Sequence, residues 1–355
     1  MNQTSVTAKT SQSALPLVTI ILPIRNEARF MERCLGAVLT QEYPHECLEV
    51  LVVDGMSDDG TRDIAERVIA RNLNLESPIS NLQLLENPER IVPTALNRGI
   101  RAARGKILVR VDGHCVVARE YVRRCVDALN TIDADCVGGA IETIGESEMA
   151  RAIALAQSSP FGVGGARFRY SDRAEYVDTL AFGAYRREVF ERIGLFDEEL
   201  VRNQDDEFNF RLTRAGGKIW LDPSIRSVYY SRASLRGLWK QYFEYGFWKV
   251  RVIQKHGRPA SVRHLVPMLF VLALVVGAGL SLLTRSGWWF AAVIVPYVIT
   301  NFIASAIVAA KSGWRYVFLL PLAFATMHLA YGTGFVAGMV HFGLKGRRVQ
   351  AVSQA

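Results

Sequence analysis

The sequence predicts an α/β domain built on a doubly wound, mostly parallel sheet and followed by transmembrane helices. Three observations carry that prediction. Short β-branched runs alternate with helix-like patterns between Leu17 and Val111, the order that gives parallel strands with helices on both faces. Polar residues gather just past the strand ends, where open α/β sheets bind their ligands. Three nearly uncharged runs close the chain, Leu265–Thr284, Trp288–Ala310 and Tyr316–His341, each long enough to cross a hydrocarbon core of about 30 Å as a helix.

Leu17–Leu22 is an apolar run closed by Pro23 and reads as a buried strand followed by a turn. Ile24-Arg25-Asn26-Glu27 then opens a helical pattern through Phe30, Cys34, Val38 and Leu39. Leu48–Val53 is a second buried strand, and the polar turn Asp54–Gly60 hands over to a helix over Thr61–Arg71. Leu82–Glu86 is a third strand, Ile91–Ala103 a helix and Ile107–Val111 the fourth strand. That strand ends in Asp112-Gly113-His114, whose acid and imidazole lie two residues apart and share a side in an extended chain. Gly113 lets the backbone turn sharply or approach a ligand. Such a pair could hold a divalent metal, and the metal a diphosphate; a plain polar turn leaving the core is the alternative.

Further on, Ser158–Arg169 is Gly-rich, either a mobile substrate loop or a tight connection, and Thr179–Arg187 reads as a strand. Gln204-Asp205-Asp206-Glu207 opens a helix, where acids suit the dipole. Adjacent carboxylates disfavour one another's ionisation and so move a carboxyl toward what a general base needs. Ser234–His256 is a helix with Ser234 as N-cap, crowded with aromatics and ending in Lys249, Arg251 and Lys255. It suits a membrane surface, with aromatics at headgroup depth and cations on anionic lipid; an amphipathic core helix fits equally.

Composition narrows the function classes. The net charge of +8 first suggests a nucleic-acid partner, but the last acidic residue is Glu244. Of 42 Lys+Arg, 11 follow it, so 31 basic residues face 34 acidic ones before it, a net of −3. The basic excess belongs to the apolar segment, and nucleic acid is disfavoured. The first 15 residues are rich in Ser, Thr and Gln and hold no apolar signal-peptide core, so the first half is expected in the cytosol. Five cysteines without a C-x-x-C pair argue for reduced core thiols. Neither G-x-G-x-x-G nor a P-loop follows a strand, which lowers the case for a dinucleotide oxidoreductase or an NTPase. The strand-end crevice is acidic, which suits a diphosphate bridged by a metal.

Four segments then resemble one family: P-I-R-N-E (Pro23–Glu27), V-V-D-G-M-S-D-D-G-T (Val52–Thr61), A-L-N-R-G-I-R-A-A-R-G (Ala95–Gly105) and V-D-G-H (Val111–His114). They are similar to the nucleotide-sugar-binding half of family 2 glycosyltransferases, and the resemblance covers roughly Val18 to His256. It implies the GT-A fold and an inverting reaction. On the donor side it implies Pro23, Asn26, Glu27, Asp54 and Asp58, with Asp54 at the base and Arg98 facing the donor. Asp112-Gly113-His114 stands where the family has its D-x-D metal motif, so Asp112 and His114 would hold Mg2+ or Mn2+; imidazole suits manganese better than magnesium. The family's E-D-x-D pattern, aligned on Arg211, makes Asp205 the catalytic base, with Asp206 beside it on the substrate side and Gln204 in place of the usual Glu. Processive synthases of the family carry Q-x-x-R-W; here Gln241 and Trp248 stand in Q-Y-F-E-Y-G-F-W without that motif, which leaves them as substrate contacts and counts against polymerisation.

The expected organisation is a disordered tail (1–16), a GT-A domain (17–232), an amphipathic interfacial region (233–263), about three transmembrane helices (264–343) and a basic tail (344–355). The resemblance is nearest to exopolysaccharide enzymes of the succinoglycan type. It implies transfer from a nucleotide-sugar donor, expected to be UDP-linked, to a lipid-linked glycan at the inner membrane, with other polysaccharide-assembly enzymes as candidate partners. A catalytically dead binding module at the membrane is the alternative from another class. Three full crossings would export Lys345, Arg347 and Arg348, against the positive-inside bias. The last run, with His328 and four glycines in or beside it, is the weakest crossing, yet three are expected because the basic flank before the first span dominates.

Overall fold

The structure, a computed structural model, describes residues 15–353. The tail expected over 1–16 falls almost wholly outside these residues, as does the very end of the basic tail expected over 344–355. The first part of the chain follows the predicted alternation: β1 (Val18–Ile24), α1 (Ala28–Leu39), β2 (Leu48–Asp54), α2 (Thr61–Leu73), β3 (Asn81–Glu86), α3 (Val92–Ala102) and β4 (Ile107–Arg110). Every residue of β1, β2 and β4 is buried, as strands covered by helices on both faces must be. β1 lies between β2 and β4 in parallel register, with Ile24 opposite Asp54 and Ile21 opposite Arg110. That register brings the loops after all three strands to one edge.

The chain continues through β5 (Cys115–Val117), α4 (Tyr121–Thr131), β6 (Cys136–Gly138), β7 (Ile141–Ile144), α5 (Glu148–Gln157) and α6 (Pro160–Val163). Then come β8 (Glu175–Val177), β9 (Ala184–Arg186), α7 (Arg187–Ile193), α8 (Gln204–Arg214), β10 (Ile219–Leu221) and β11 (Ser227–Tyr230). The main sheet runs β3-β2-β1-β4-β9-β6-β10-β8. It is more mixed than its first half suggests: β9 enters antiparallel to both β4 and β6, and β8 antiparallel to β10. A small sheet, β5-β11-β7, stands beside it. Four cysteines are buried, Cys47 is half-buried, and all five are free thiols as expected.

α9 (Leu235–His256) is capped as expected, the Ser234 Oγ accepting from the Gly237 N–H at 3.2 Å. Three helices long and apolar enough to cross a membrane follow, α10 (Val266–Thr284), α11 (Trp288–Ser312) and α12 (Leu320–Ser353). Much of the aromatic face of α9 is not free for a lipid surface, because α12 covers it. Gly246 of α9 meets the Tyr331 carbonyl, and Gly334 and Gly338 of α12 meet the Phe243 and Phe247 carbonyls; a Cβ at any of the three would collide with the opposing backbone. Small residues are what let two helix backbones come this close. α12 also packs on α5, Phe324 and Met327 joining Ile153 and Ala156 in one apolar cluster.

α10 and α11 form a hairpin, Phe270 stacking on Tyr297 with ring centroids 4.3 Å apart. α12 meets this hairpin near the start of α10, where Gly332 abuts Pro267 and Val271. It meets α11 from Tyr297 onward: the Asn301 Nδ2 donates to the Pro321 carbonyl at 3.1 Å, and the Tyr297 Oη lies 3.1 Å from His328 Nδ1. The far part of the hairpin is open, with Val275, Leu282, Trp288 and Val295 exposed.

At the opposite edge of the sheet from the strand-end loops, Glu49 is fully buried. Its carboxylate accepts from the Thr19 hydroxyl at 2.6 Å, the Arg104 N–H at 2.7 Å and the Arg104 Nε at 2.7 Å, while Thr19 in turn accepts from the Gly105 N–H at 2.9 Å. Burial alone would raise the Glu49 carboxyl, but these donors outweigh it and hold it below the usual range. A depressed folded value adds stability above the unfolded value of about 4.3 and loses it as pH falls through the folded one. Glu49→Gln should therefore cost about 1–3 kcal/mol at neutral pH and flatten the acid side of the stability curve, read as the thermal midpoint of the solubilised chain between pH 7 and the acid limb.

Candidate active site

Past the ends of β1 and β2, two loops lock together. Asn26, in a left-handed conformation with φ 55°, donates through Nδ2 to Asp58 at 2.9 Å and accepts the Asp58 N–H at 3.1 Å. The Glu27 N–H donates to the Thr61 hydroxyl at 2.7 Å, and the Ala28 N–H to Asp59 at 3.2 Å. Asp54 is 1% exposed, and its carboxylate accepts the Ser57 hydroxyl at 2.6 Å. Asp54 and Asp58 thus brace the loops after β1 and β2 without lining the central cavity, whereas Pro23, Asn26 and Glu27 line it directly.

At the end of β4, Asp112 and His114 both face this cavity. His114 Nδ1 lies 2.8 Å from a Glu27 carboxylate oxygen, which leaves Nε2 as its open position. Gly113 makes room for that contact, since a Cβ there would lie 3.0 Å from Glu27 Cγ. Burial pulls His114 down, but the Glu27 hydrogen bond and the negative groups around it carry it up to about 9. Asp112 accepts from Arg110 Nε at 2.8 Å and Nη2 at 3.0 Å. The sequence reading passed over Arg110. It is only 8% exposed, and its Nη1 stands 3.8 Å from Asp205 without a hydrogen-bond partner. An arginine inside the apolar run I-L-V-R-V was the signal.

The acidic run at the start of α8 separates into three environments. Asp205 faces Arg110 and the cavity. Asp206 is ion-paired with Lys249, itself 4% exposed. Glu207 turns away to Arg211 at 2.7 Å and His256 at 2.9 Å. Burial raises the Asp205 carboxyl, Arg110 pulls it back, and Asp206 and Asp112 add to the rise, so it stays above the usual range. Burial also acts on Asp206, but Lys249 outweighs it and keeps that carboxyl below the range. Two neighbouring carboxyls are thus pushed in opposite directions, which fits them for different roles.

Gln241 lies in the cavity wall, donating to Tyr229 at 3.2 Å and Tyr245 at 3.1 Å. Two expected contacts are placed elsewhere. Arg98 lies on the outer face of α3, forked onto Glu89 at 2.8–3.2 Å and lining a separate shallow groove; the helical turn that buries Asn97 rotates Arg98 out of the cavity. Trp248 packs on Phe342 of α12, with ring centroids 5.7 Å apart, because the helix turns it toward that seam. Arg169 and Arg232 do line the cavity and both act on Tyr229, whose ring meets His114 edge-on at 5.0 Å.

The cavity is about 1270 Å³ and joins the loops after β1 and β2, Asp112, His114 and Asp205 to the first turns of α10, to Tyr297 of α11 and to Met327, His328 and Tyr331 of α12. Pockets for one small molecule are usually about 300–1,000 Å³, so this one has room for more. A family profile described as Glycosyl transferase family 2 matches residues 19–194. The succinoglycan biosynthesis protein ExoA of Rhizobium meliloti (strain 1021) is 33% identical over 337 residues, 94% of this chain and 97% of the relative. The chain belongs to glycosyl transferase family 2. A dolichyl N-acetyl-alpha-D-glucosaminyl phosphate 3-beta-D-2,3-diacetamido-2,3-dideoxy-beta-D-glucuronosyltransferase of Methanococcus voltae is 27% identical over 331 residues, 91% of this chain and 97% of that one. The mannosyltransferase PcManGT of Pyrobaculum calidifontis, solved with GDP-Man and Mn2+, shares the fold with a TM-score of 0.55 at 22% identity, over 91% of this chain and 87% of that one. The expected GT-A fold and glycosyltransferase family are therefore those of this chain.

Removing Arg110 tests the electrostatic core of the site. Arg110→Leu leaves Asp112 and Asp205 without their shared cation and should cost about 3 kcal/mol, the low end for a broken buried pair because both carboxylates keep some water. The loss, read from thermal midpoints, should shrink as pH falls and Asp205, whose carboxyl is held above the usual range, takes up its proton.

Proposed function

We propose that this enzyme transfers a sugar, with inversion, from a nucleotide-sugar donor to a lipid-linked glycan during cell-surface polysaccharide assembly. The observation that carries the reading is the single cavity that holds the strand-end donor loops, Asp205 and the bases of the membrane-type helices together. The ExoA likeness over nearly the whole chain supports the pathway class, and the dolichyl-phosphate relative supports a lipid-borne acceptor. The donor is expected to be UDP-linked.

In this reading Asp205 takes the proton of the acceptor hydroxyl as that oxygen attacks the anomeric carbon. Arg110 faces Asp205 across 3.8 Å, and its Nη1 keeps a free N–H for a substrate oxygen. Arg169 and Arg232, which line the cavity beside Tyr229, take the role expected of Arg98, as cations for the departing nucleoside diphosphate. Asp112 and His114 fit a divalent cation. With Nδ1 held by Glu27, Nε2 would be the ligand atom once it gives up the proton it carries at neutral pH, so the cation would displace a proton on binding, and each Asp112 oxygen keeps a lone pair beyond its Arg110 bond. Among the described residues no three His, Cys, Asp or Glu side chains converge on a metal, so diphosphate and water oxygens would complete the shell, as suits Mn2+ or Mg2+. Bound there, the cation supplies Lewis-acid stabilisation of the diphosphate charge.

The test is to incubate membranes carrying the protein with a panel of radiolabelled sugar nucleotides and a lipid extract. One donor should label the lipid fraction. Asp205→Asn should lower that transfer about 10²–10⁴-fold with donor affinity nearly unchanged. The wild-type rate should fall on the acid side at a pH above the ordinary Asp value of about 3.9, since the base works only when ionised. Transfer at the wild-type rate by Asp205→Asn would end this assignment.

The packing of α12 favours two crossings over the three read from hydropathy. Its contacts gather at the base of the α10–α11 hairpin and along α9 and α5 of the catalytic domain, so α12 lies along the cytosolic face while the open hairpin enters the bilayer. Lys345, Arg347 and Arg348 then stay inside, in accord with the positive-inside bias. A Ser353→Cys chain in intact cells should resist a membrane-impermeant thiol reagent until lysis; labelling of intact cells would restore three crossings.

A further inference from the structure

The inner end of the cavity holds polar groups that sugar transfer at Asp205 does not use. His264 Nδ1 and Tyr331 Oη are buried without hydrogen-bond partners, and both residues line the cavity. Arg263 and Lys249 line it beside them. Arg263 pairs with Asp178 at 2.9 Å, but Asp178 is half-exposed on the rim, and a guanidinium has five N–H donors to share. Its head lies against Gly165, where a Cβ would collide with it. Lys249 pairs with Asp206, one residue from Asp205. Beyond these groups the wall is mostly apolar, Phe161, Pro267, Phe270 and Met327, with Tyr297 and His328 among them and bonded to each other at 3.1 Å.

We propose that this inner end is a phosphate subsite for a polyprenyl-phosphate-type lipid, the anion held by Arg263, His264, Tyr331 and Lys249 and the hydrocarbon tail running along Phe161, Phe270 and Met327. The assignment rests on the glycosyl-transfer reading and adds where the acceptor is gripped. Buried polar atoms without partners call for a ligand or water to satisfy them. Phosphate oxygens accept from a phenol, an imidazole N–H and an arginine fork together, and such charge-assisted bonds are the strong ones. Arg263 and His264 immediately precede α10, which puts them where the hydrocarbon would begin. A lipid phosphate sits at that depth by its own chemistry, and the apolar wall continues from there into the helices.

The test uses the full chain in detergent and reads binding rather than transfer. The probes are a short polyprenyl phosphate, the alcohol of the same chain and inorganic phosphate, with UDP as a donor-side control. The phosphate should bind at least about tenfold more tightly than the alcohol. Tyr331→Phe and Arg263→Gln should each erase most of that preference while keeping UDP affinity. Equal binding of phosphate and alcohol, or a preference intact in both variants, would overturn the subsite. Displacement of the lipid by inorganic phosphate at equal concentration would make it a free-phosphate site and overturn the lipid assignment. A variant that also lost UDP would be misfolded, and the wild-type comparison of phosphate with alcohol would then decide. Lipid-phosphate binding without any sugar transfer would sink the glycosyl-transfer reading and leave the subsite standing; transfer without a phosphate preference would do the reverse.

Discussion

A guanidinium held at 8% exposure needs carboxylates facing it, and Arg110 draws one from each half of the catalytic domain. Asp112 is two residues on along its own chain, while Asp205 arrives from the start of α8. The rest of the site is arranged so that this meeting can happen. Asn97 on α3 accepts the Phe196 N–H at 3.0 Å and donates to the Phe196 carbonyl at 2.8 Å, fixing the segment that leads into α8. Arg202 and Asn203 then tie the same segment to α9 through Glu244 at 2.8 Å and the Tyr245 carbonyl at 2.8 Å. Charge pairing inside a poorly solvated pocket is strong only when geometry is good, and these tethers supply the geometry.

The same logic explains why one acidic tripeptide can do three things. A helix places successive residues about 100° apart, so Asp205, Asp206 and Glu207 cannot share a partner. One faces the cavity, one a buried lysine of α9, and one Arg211 and His256. What differs among them is the cation each meets and the water each keeps.

Much of this was legible from the residues alone. The strand–helix alternation, the strand-end acids, the Ser234 cap and the membrane-type helices all follow from local pattern, and local pattern is what a linear reading detects. The places where it fell short depend on rotation or on distant contacts. Arg98 and Asn97 are neighbours in sequence, yet one is buried and the other on the outer face, and a motif match does not say which. Trp248 reads as a ligand contact until α12 is seen to occupy its face. The antiparallel entry of β9 is set by its neighbours β4 and β6, over a strand of three residues. Arg110 was visible as a charge in an apolar strand, but its two partners lie in separate parts of the chain.

The glycine contacts between α9 and α12 have a mechanical meaning as well as a steric one. Backbones that touch at Gly246, Gly334 and Gly338 leave no layer of side chains to slide or compress. α9 is in turn bonded to the segment that carries Asp205, so that carboxylate and the helices at the base of the hairpin move as one piece. On the proposed topology the seam is a depth gauge: it sets how far above the lipid the reacting hydroxyl must rise. A thicker or thinner bilayer would shift the whole enzyme and leave that reach unchanged, so selection among acceptors would turn on the distance from phosphate to hydroxyl as much as on which sugar carries it.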